Sequence, residues 1–323
     1  MEPGSSAIKA RAVTNASRLD RQKVAVKGPD QFKAKAEAMP LFAIPYPIID
    51  PIAIEVGPVA VRWYGLAYMA GILLGWLYGR TLVSRPELWN GKPPMTKSQA
   101  DDFLLWITLG IVLGGRLGFV LFYEPSYFLA NPLDIPAVWK GGMSFHGGLL
   151  GVVAAVYFYS RRIGINPLSL GDIASAATPF GLFFGRIANF INAEVVGRAS
   201  DVPWAMVFPG AGPESRHPSQ LYEAALEGLV LFAILAVAVF RYKALTRPGT
   251  IFGLFLVFYG IFRSLVEFVR EPHFGHPLDI GILTPGIVYS IPMILIGAWL
   301  IWRARVTPAS ASEPAKSKTQ DAS

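Results

Sequence analysis

Apolar residues gather in long blocks separated by short runs rich in Pro, Gly, Lys and Arg. A helix needs roughly 17 to 25 such residues to cross ~30 Å of hydrocarbon. Seven blocks predict membrane helices over 63–78, 103–123, 144–159, 170–191, 221–240, 251–269 and 283–302, most with aromatic residues at their ends. The expectation is an all-α polytopic membrane protein of about seven transmembrane helices. The long segment 193–218 carries Pro203, Pro209, Gly210, Gly212 and Pro213, and is expected to form a small periplasmic head between helices four and five.

Basic residues alternate sides. Arg80, Arg85, Lys92 and Lys97 follow the first block, Arg161 and Arg162 the third, Arg241, Lys243 and Arg247 the fifth, and Arg303 and Arg305 the seventh. The opposite loops hold only Lys140, Arg198, Arg216 and Arg270. Under the positive-inside rule, the segment before the first helix lies outside and the C-terminus lies in the cytoplasm.

Composition agrees: 53% of the 323 residues are hydrophobic and 16% charged, against roughly 25% charged in an average soluble domain. A cytosolic globule and a disordered chain are both excluded. The chain has no cysteine, which excludes disulfides, thiolate metal sites and a cysteine nucleophile of its own. Any thiol chemistry must use a partner's sulfur.

Residues 1–39 form a basic extension with Lys9, Arg11, Arg18, Arg21, Lys23, Lys27, Lys33 and Lys35 and no apolar signal region. Such a tail resists translocation, so Met39 is expected to be the true start. The transmembrane catalytic domain is expected over 40–305, and the polar, Ala/Ser/Lys-rich stretch 306–323 as a disordered cytoplasmic tail. No internal repeat is evident.

Ionisable side chains inside apolar spans cost on the order of 2.5–3.5 kcal/mol each, so they are functional suspects. They are Arg116, His146, Asp172, Arg186, Glu223, Glu227, Arg263 and Glu267. Arg263, Glu267 and Arg270 recur at i, i+4 and i+7 and share a helix face. With the orientation above, most of these charges lie in the outer leaflet, and their cationic excess suits an anionic ligand.

Each also has a structural reading. Arg263 with Glu267 equally describes an intrahelical ion pair closing a bundle interface, and His146 beside Gly147 and Gly148 an interfacial histidine at a tight helix start. The glycines around Arg116 read as close helix packing, and Asp172 as a helix cap. Glu223 and Glu227 are either solvated or paired with arginine. His273 and His276 have metal-like spacing, but Pro272 and Pro277 break any helix, so they read as loop and no metal site is expected.

Several stretches carry more specific information. The run Gly185-Arg186-Ile187-Ala188-Asn189-Phe190-Ile191-Asn192-Ala193-Glu194-Val195-Val196-Gly197-Arg198 resembles the signature of the bacterial prolipoprotein diacylglyceryl transferases. Arg62-Trp63-Tyr64-Gly65, Ser144-Phe145-His146-Gly147-Gly148, His217-Pro218-Ser219-Gln220-Leu221-Tyr222-Glu223 and the run from Tyr259 to Glu271 resemble further elements of that family, in its order. The likeness spans about 40–305. Ala188 replaces a common glycine, a small-for-small change, and the basic extension is the real departure.

The resemblance implies a bacterial inner-membrane enzyme that moves the diacylglyceryl group of phosphatidylglycerol to the lipobox cysteine of a prolipoprotein signal peptide. A thioether forms and glycerol phosphate leaves, with no metal, no cofactor and no nucleic acid. Matching motif positions, it implies Arg186 and Arg263 as contacts to the phosphate and the transition state, with Asn189 adding a neutral hydrogen bond. Arginine suits this because its fork binds phosphate bidentately and stays charged. Gly197 and Glu194 belong to the same lipid site, and Tyr64 and Tyr259 are expected to position the headgroup or the arginines. His146 is the first choice of base for the thiol. Glu267 and Glu194 are rivals, and Glu267 more naturally orients Arg263.

Three other classes compete. A membrane transporter of an anionic or lipid-like substrate would explain the intramembrane charges, but usually shows a repeat or interrupted helices in matching halves. An intramembrane serine protease lacks its Gly-x-Ser-x-Gly elbow here. A scaffold for envelope assembly would tolerate loss of the arginines.

Overall fold

The computed structural model describes residues 44–57, 59–271 and 284–306. The basic extension with Met39, residues 307–323 of the tail, and His273 and His276 lie outside the described residues. In chain order the helices are α1 (Trp63–Val83), α2 (Lys97–Phe122), the short α3 (Pro125–Ala130), α4 (Phe145–Ile163), α5 (Pro167–Ile191), α6 (Ser219–Phe240), α7 (Thr250–Glu267) and α8 (Pro285–Val306). Five of them, α1, α2, α6, α7 and α8, are long and apolar enough to cross a membrane. At 19 and 25 residues, α4 and α5 are long enough but more polar. Helix α5 packs against α1, α6 and α7, so Ser169, Asp172 and Ser175 are buried against protein.

Local chemistry sets the boundaries. Thr96 and Gln99 form a reciprocal capping box, which starts α2 at Lys97, six residues before the expected 103. Asn166 caps α5 through Leu168 N–H with Pro167 in the first turn, and Gly164 ends α4 in the left-handed conformation. Asp172 is a cap, but of a neighbouring helix. Its carboxylate accepts from Gly249 N–H and Phe252 N–H, both at 2.7 Å, and so fixes the start of α7 against α5.

The all-α expectation needs one correction. β1 (Ile44–Pro45) pairs in parallel with β4 (Met206–Val207), and β2 (Ile52–Val56) pairs antiparallel with β3 (Val59–Arg62) just before α1. The hairpin's alternating Ile and Val pattern, with Gly57 at φ +58° in the turn, is a strand signal too short to stand out beside the membrane blocks.

Close helix pairs account for much of the packing. Gly110, Gly114 and Gly118 on α2 meet Gly147 and Gly151 on α4 so tightly that a Cβ on Gly118 would lie 2.7 Å from Gly147 Cα. Small residues at this spacing let backbones approach where lipid gives no hydrophobic drive. The reading of the glycines around Arg116 as close helix packing therefore holds for Gly114 and Gly118.

One apolar core forms where the C-terminal ends of α1 and α6 meet the N-terminal ends of α5 and α7, with Leu82, Leu170, Ile173, Leu235, Val239 and Ile251 buried. Because neighbouring helices run antiparallel, their opposite ends meet too. There the polar residues converge.

Candidate functional site

Arg186 lies near the end of α5, Glu223 and Glu227 near the start of α6, and Arg263 and Glu267 near the end of α7, with Arg270 just beyond. Residues 224–230 of α6 widen into a π-helical stretch, a form common at functional sites. Glu223 and Glu227 are fully buried, which settles the choice between solvated and paired.

Glu223 is the hub. Its Oε2 lies 3.0 Å from Arg186 Nε, and its Oε1 takes a bond from Arg270 Nη1 and sits 4.0 Å from Arg263 Nη1. Glu227 Oε2 lies 3.5 Å from Arg186 Nη2, and Glu267 pairs with Arg263 at 2.5 Å. Three guanidinium groups thus meet three carboxylates. The cationic excess expected from the sequence is corrected here, because the glutamates that offset it are drawn into the same cluster.

Two atoms of Arg186 face the glutamates, Nε and Nη2. Those atoms form one edge of the guanidinium. The other edge, Nη1 with the second hydrogen of Nη2, keeps the fork geometry that binds two phosphate oxygens at once. The N-terminal end of α8 forms a wall: a Cβ on Gly286 would run into the Glu267 carboxylate and lie 2.9 Å from Arg263 Nη2.

The other expected residues distribute around this cluster. Asn189 Nδ2 donates to Glu194 Oε2 at 3.3 Å. Tyr259 is partly buried on α7 beside Phe255, within electrostatic reach of Arg186, Arg263, Glu223 and Glu227. Tyr64 packs on Tyr68, ring centres 5.1 Å apart, and Tyr68 is near enough to feel the charges of Arg186 and Glu194. Gly197 N–H donates to His217 C=O at 3.0 Å, and Arg198 N–H donates to Val269 C=O. A Cβ on Gly197 would fall 2.6 Å from that Val269 oxygen. This glycine seams the 193–218 segment to the end of α7.

His146 stands apart. It is exposed at the start of α4 and touches Phe145 and Tyr289 by ring contacts; Tyr289 lies one turn after Gly286 on α8. Arg116 is not a free cation. It is 5% exposed and spends its donors on the carbonyls of Asp134, Ile135, Gly141 and Gly142, with Phe128 under its guanidinium.

Glu223 and Glu227 were legible as intramembrane charges and Arg270 as a residue on the face of Arg263 and Glu267, but none had a role assigned; two glutamates four apart in an apolar span are the signal. Tyr68 and Gly286 carried none. Phe208 of the segment 193–218 packs in a small core with Tyr46, from before β2, and Phe190 of α5, and Tyr46 O–H donates to the last carbonyls of α5, Phe190 and Ile191. Trp204 Nε1–H donates to Tyr222 Oη at 2.6 Å, and Tyr222 Oη lies 3.1 Å from His217 Nδ1. An indole only donates, so Tyr222 Oη accepts from Trp204 and has its own hydrogen free to turn to His217 Nδ1. Burial holds His217 below its ordinary pKa, consistent with a neutral ring accepting at Nδ1.

A family model described as "Prolipoprotein diacylglyceryl transferase" matches residues 51–303. The chain is 52% identical over 282 residues to a phosphatidylglycerol–prolipoprotein diacylglyceryl transferase of Nitrobacter winogradskyi, covering 87% of this chain and 97% of that protein. Proteins of the same name from Rhodopseudomonas palustris and Sinorhizobium medicae are 54% and 56% identical, over 85% and 84% of this chain and 98% of each of theirs.

Proposed function

Because the chain belongs to the prolipoprotein diacylglyceryl transferase family, we propose that it transfers the diacylglyceryl group of phosphatidylglycerol to the lipobox cysteine of a prolipoprotein. The observation that carries this reading is the buried meeting of Arg186, Arg263 and Arg270 with Glu223, Glu227 and Glu267. Charges gathered inside a membrane protein are costly, and so mark a functional site.

The cysteine sulfur attacks the lipid glycerol carbon that bears the phosphate. A C–S bond forms, the C–O bond breaks, and its electron pair leaves on glycerol 1-phosphate. Arg186 and Arg263 hold the phosphate and offset the charge that grows on its leaving oxygen, each such donor being worth about 3 kcal/mol in the transition state. Asn189 and Gly197 shape the lipid site with Tyr64 and Tyr259. A thiol of pKa ~8.5 is mostly protonated at neutral pH, and His146 takes that proton. The pairing of Glu267 with Arg263 and of Glu194 with Asn189 favours His146 over these two rivals.

All seven long helices are read as spans of a bacterial inner membrane, with the segment before α1 outside, 193–218 as a periplasmic head and the C-terminus cytoplasmic. The alternation of Lys and Arg supports that orientation, which turns the arginine cluster toward the outer leaflet, where lipid and lipobox meet.

The test reconstitutes the full chain with phosphatidylglycerol and a lipobox peptide bearing one cysteine, and follows peptide mass and released glycerol phosphate beside an Arg186→Ala variant. A diacylglyceryl mass gain with matching phosphate release, lost in the variant, is expected. A folded protein that leaves both substrates unchanged would overturn the reading.

A further inference from the structure

The two glutamates of α6 have no part in the chemistry above. Both are fully buried, and neither Glu227 oxygen nor Glu223 Oε2 makes a hydrogen bond among the described residues. Of their oxygens only Glu223 Oε1 accepts a hydrogen bond there, from Arg270 Nη1; Glu223 Oε2 and Glu227 Oε2 meet Arg186 as ion pairs. Buried carboxylate oxygens so sparsely hydrogen-bonded are expensive, so their place beside the arginines calls for a reason beyond packing.

The reaction supplies one. Phosphatidylglycerol enters as a phosphodiester with one negative charge. Glycerol 1-phosphate is a phosphomonoester, which carries about −1.5 to −2 near neutral pH because its second pKa is about 6. A purely cationic clamp would therefore hold product more tightly than substrate and stall after one turnover. With three carboxylates beside three guanidiniums, phosphate must compete for the arginines, and the competition is stiffer where Glu223 touches all three. Glu223 and Glu227 also occupy one edge of Arg186, which aims its other edge at the ligand. Their i, i+4 spacing keeps the two glutamates on the same side, and Gly228 holds α6 against α5: a Cβ there would fall 2.7 Å from Phe183 Cβ.

We propose that Glu223 and Glu227 are positioning residues and counter-ions of the arginine clamp, aligning Arg186 and weakening the hold on glycerol phosphate so that product leaves. The inference rests on the transferase reading and deepens it.

The experiment measures product inhibition. Wild type, Glu223→Gln, Glu223→Asp and Glu227→Gln are reconstituted in nanodiscs, and the inhibition constant of added glycerol 1-phosphate is measured beside kcat and the KM for phosphatidylglycerol. Glu223→Gln removes one charge and keeps the shape. Its inhibition constant should fall on the order of tenfold, as expected for a charge lost at short range in a medium of intermediate dielectric, while kcat falls and a first turnover persists. Glu223→Asp keeps the charge, so its inhibition constant should stay near wild type even if kcat drops. Glu227→Gln meets Arg186 alone and should tighten product binding about threefold; it carries the test if the Glu223 variants do not fold. Folded glutamine variants with unchanged or weakened product binding overturn the proposal. Wild type forming no peptide adduct would instead sink the transferase reading itself.

Discussion

Gly286→Ala gives a sharp test of how the site is built, because the perturbation is one methyl group placed where no sequence motif points. The new Cβ collides with the Glu267 carboxylate and lies 2.9 Å from Arg263 Nη2. Helix α8 packs closely on α7, with a Cβ on Gly253 falling 2.7 Å from Gly297 C=O, so the backbone has little room and the Glu267 side chain must move. Overpacking of this kind costs about 1–3 kcal/mol of stability. The larger effect is on rate: Arg263 loses its aligned partner, and a misplaced charge-stabilising donor is worth about 2.7–4 kcal/mol, or 10²- to 10³-fold in turnover. Steady-state transfer to a lipobox peptide should show kcat falling by about that factor. A second substitution sharpens the test. Glu267→Asp withdraws the carboxylate by about one C–C bond, ~1.5 Å, and makes room for the methyl. The double variant should therefore be more active than the product of the two single effects, with a coupling of roughly 0.5–3 kcal/mol. Full turnover in Gly286→Ala, or strict additivity in the double variant, would refute the idea that α8 sets the arginine's position.

Four further outcomes are expected. Arg263→Lys keeps the charge but loses the planar fork, and should lower turnover about 10²-fold or more; unchanged turnover in the peptide assay would remove the bidentate argument. His146→Gln should be slow at pH 7 and partly rescued toward pH 9, because the substrate thiol of pKa ~8.5 then ionises unaided; a flat pH profile would assign His146 a binding role. Asp172→Ala leaves two buried N–H groups at the start of α7 without an acceptor, at about 1–3 kcal/mol each, and should lower the unfolding temperature, whereas an unchanged transition would contradict the capping role. In the loop before α4, bonds from Lys140 and then Tyr127 hold the Asp134 carboxyl below its ordinary value. A depressed carboxylate contributes above its unfolded pKa and loses that contribution as pH falls through the folded one. The carboxyl carbon resonance of Asp134 should thus be steady from pH 5 to 8 and change only below about pH 4, and Lys140→Ala should move the change upward; a transition near pH 6 would refute the pairing.

The helices were legible because lipid imposes one length and one polarity on every span. Their ends were less so: capping at Thr96 and the turn at Gly164 extend α2 and α4 past their apolar runs, since local hydrogen bonding and not hydropathy decides where a helix stops. The hairpin over 52–62 was missed because its alternation covers few residues. At the site, charge inside an apolar block identified Arg186, Arg263, Glu267 and Glu223 as unusual. The Arg263–Glu267 pair follows from its i, i+4 spacing, but how Glu223 and Glu227 meet Arg186, Arg263 and Arg270 depends on helices far apart in sequence, and no spacing rule along the chain reports that. Arg116 illustrates the limit. Its cost in an apolar span is as high as that of Arg186, yet its hydrogen bonds go to backbone carbonyls, its guanidinium lies over Phe128, and it organises a loop.

The contrast between these two arginines carries a general point about buried charge. Arg116 makes four hydrogen bonds to fixed backbone acceptors, which give no reason to exchange. Arg186 is held by side-chain carboxylates on one edge, and its α5 neighbour Asp172 ties that helix to α7 some 14 residues away, or about 20 Å at 1.5 Å per residue. The cap at one end of the bundle therefore sets the register in which Arg186 and Arg263 face each other at the other. Glu223 receives both only if that register is correct. A shift of one residue along α7 would turn Arg263 by about 100° and leave Glu223 among fewer cations. The interior of this protein thus holds Arg116 in a neutral, carbonyl-rich cage and Arg186 in an offset ion-pair cluster, the place proposed for the phosphate.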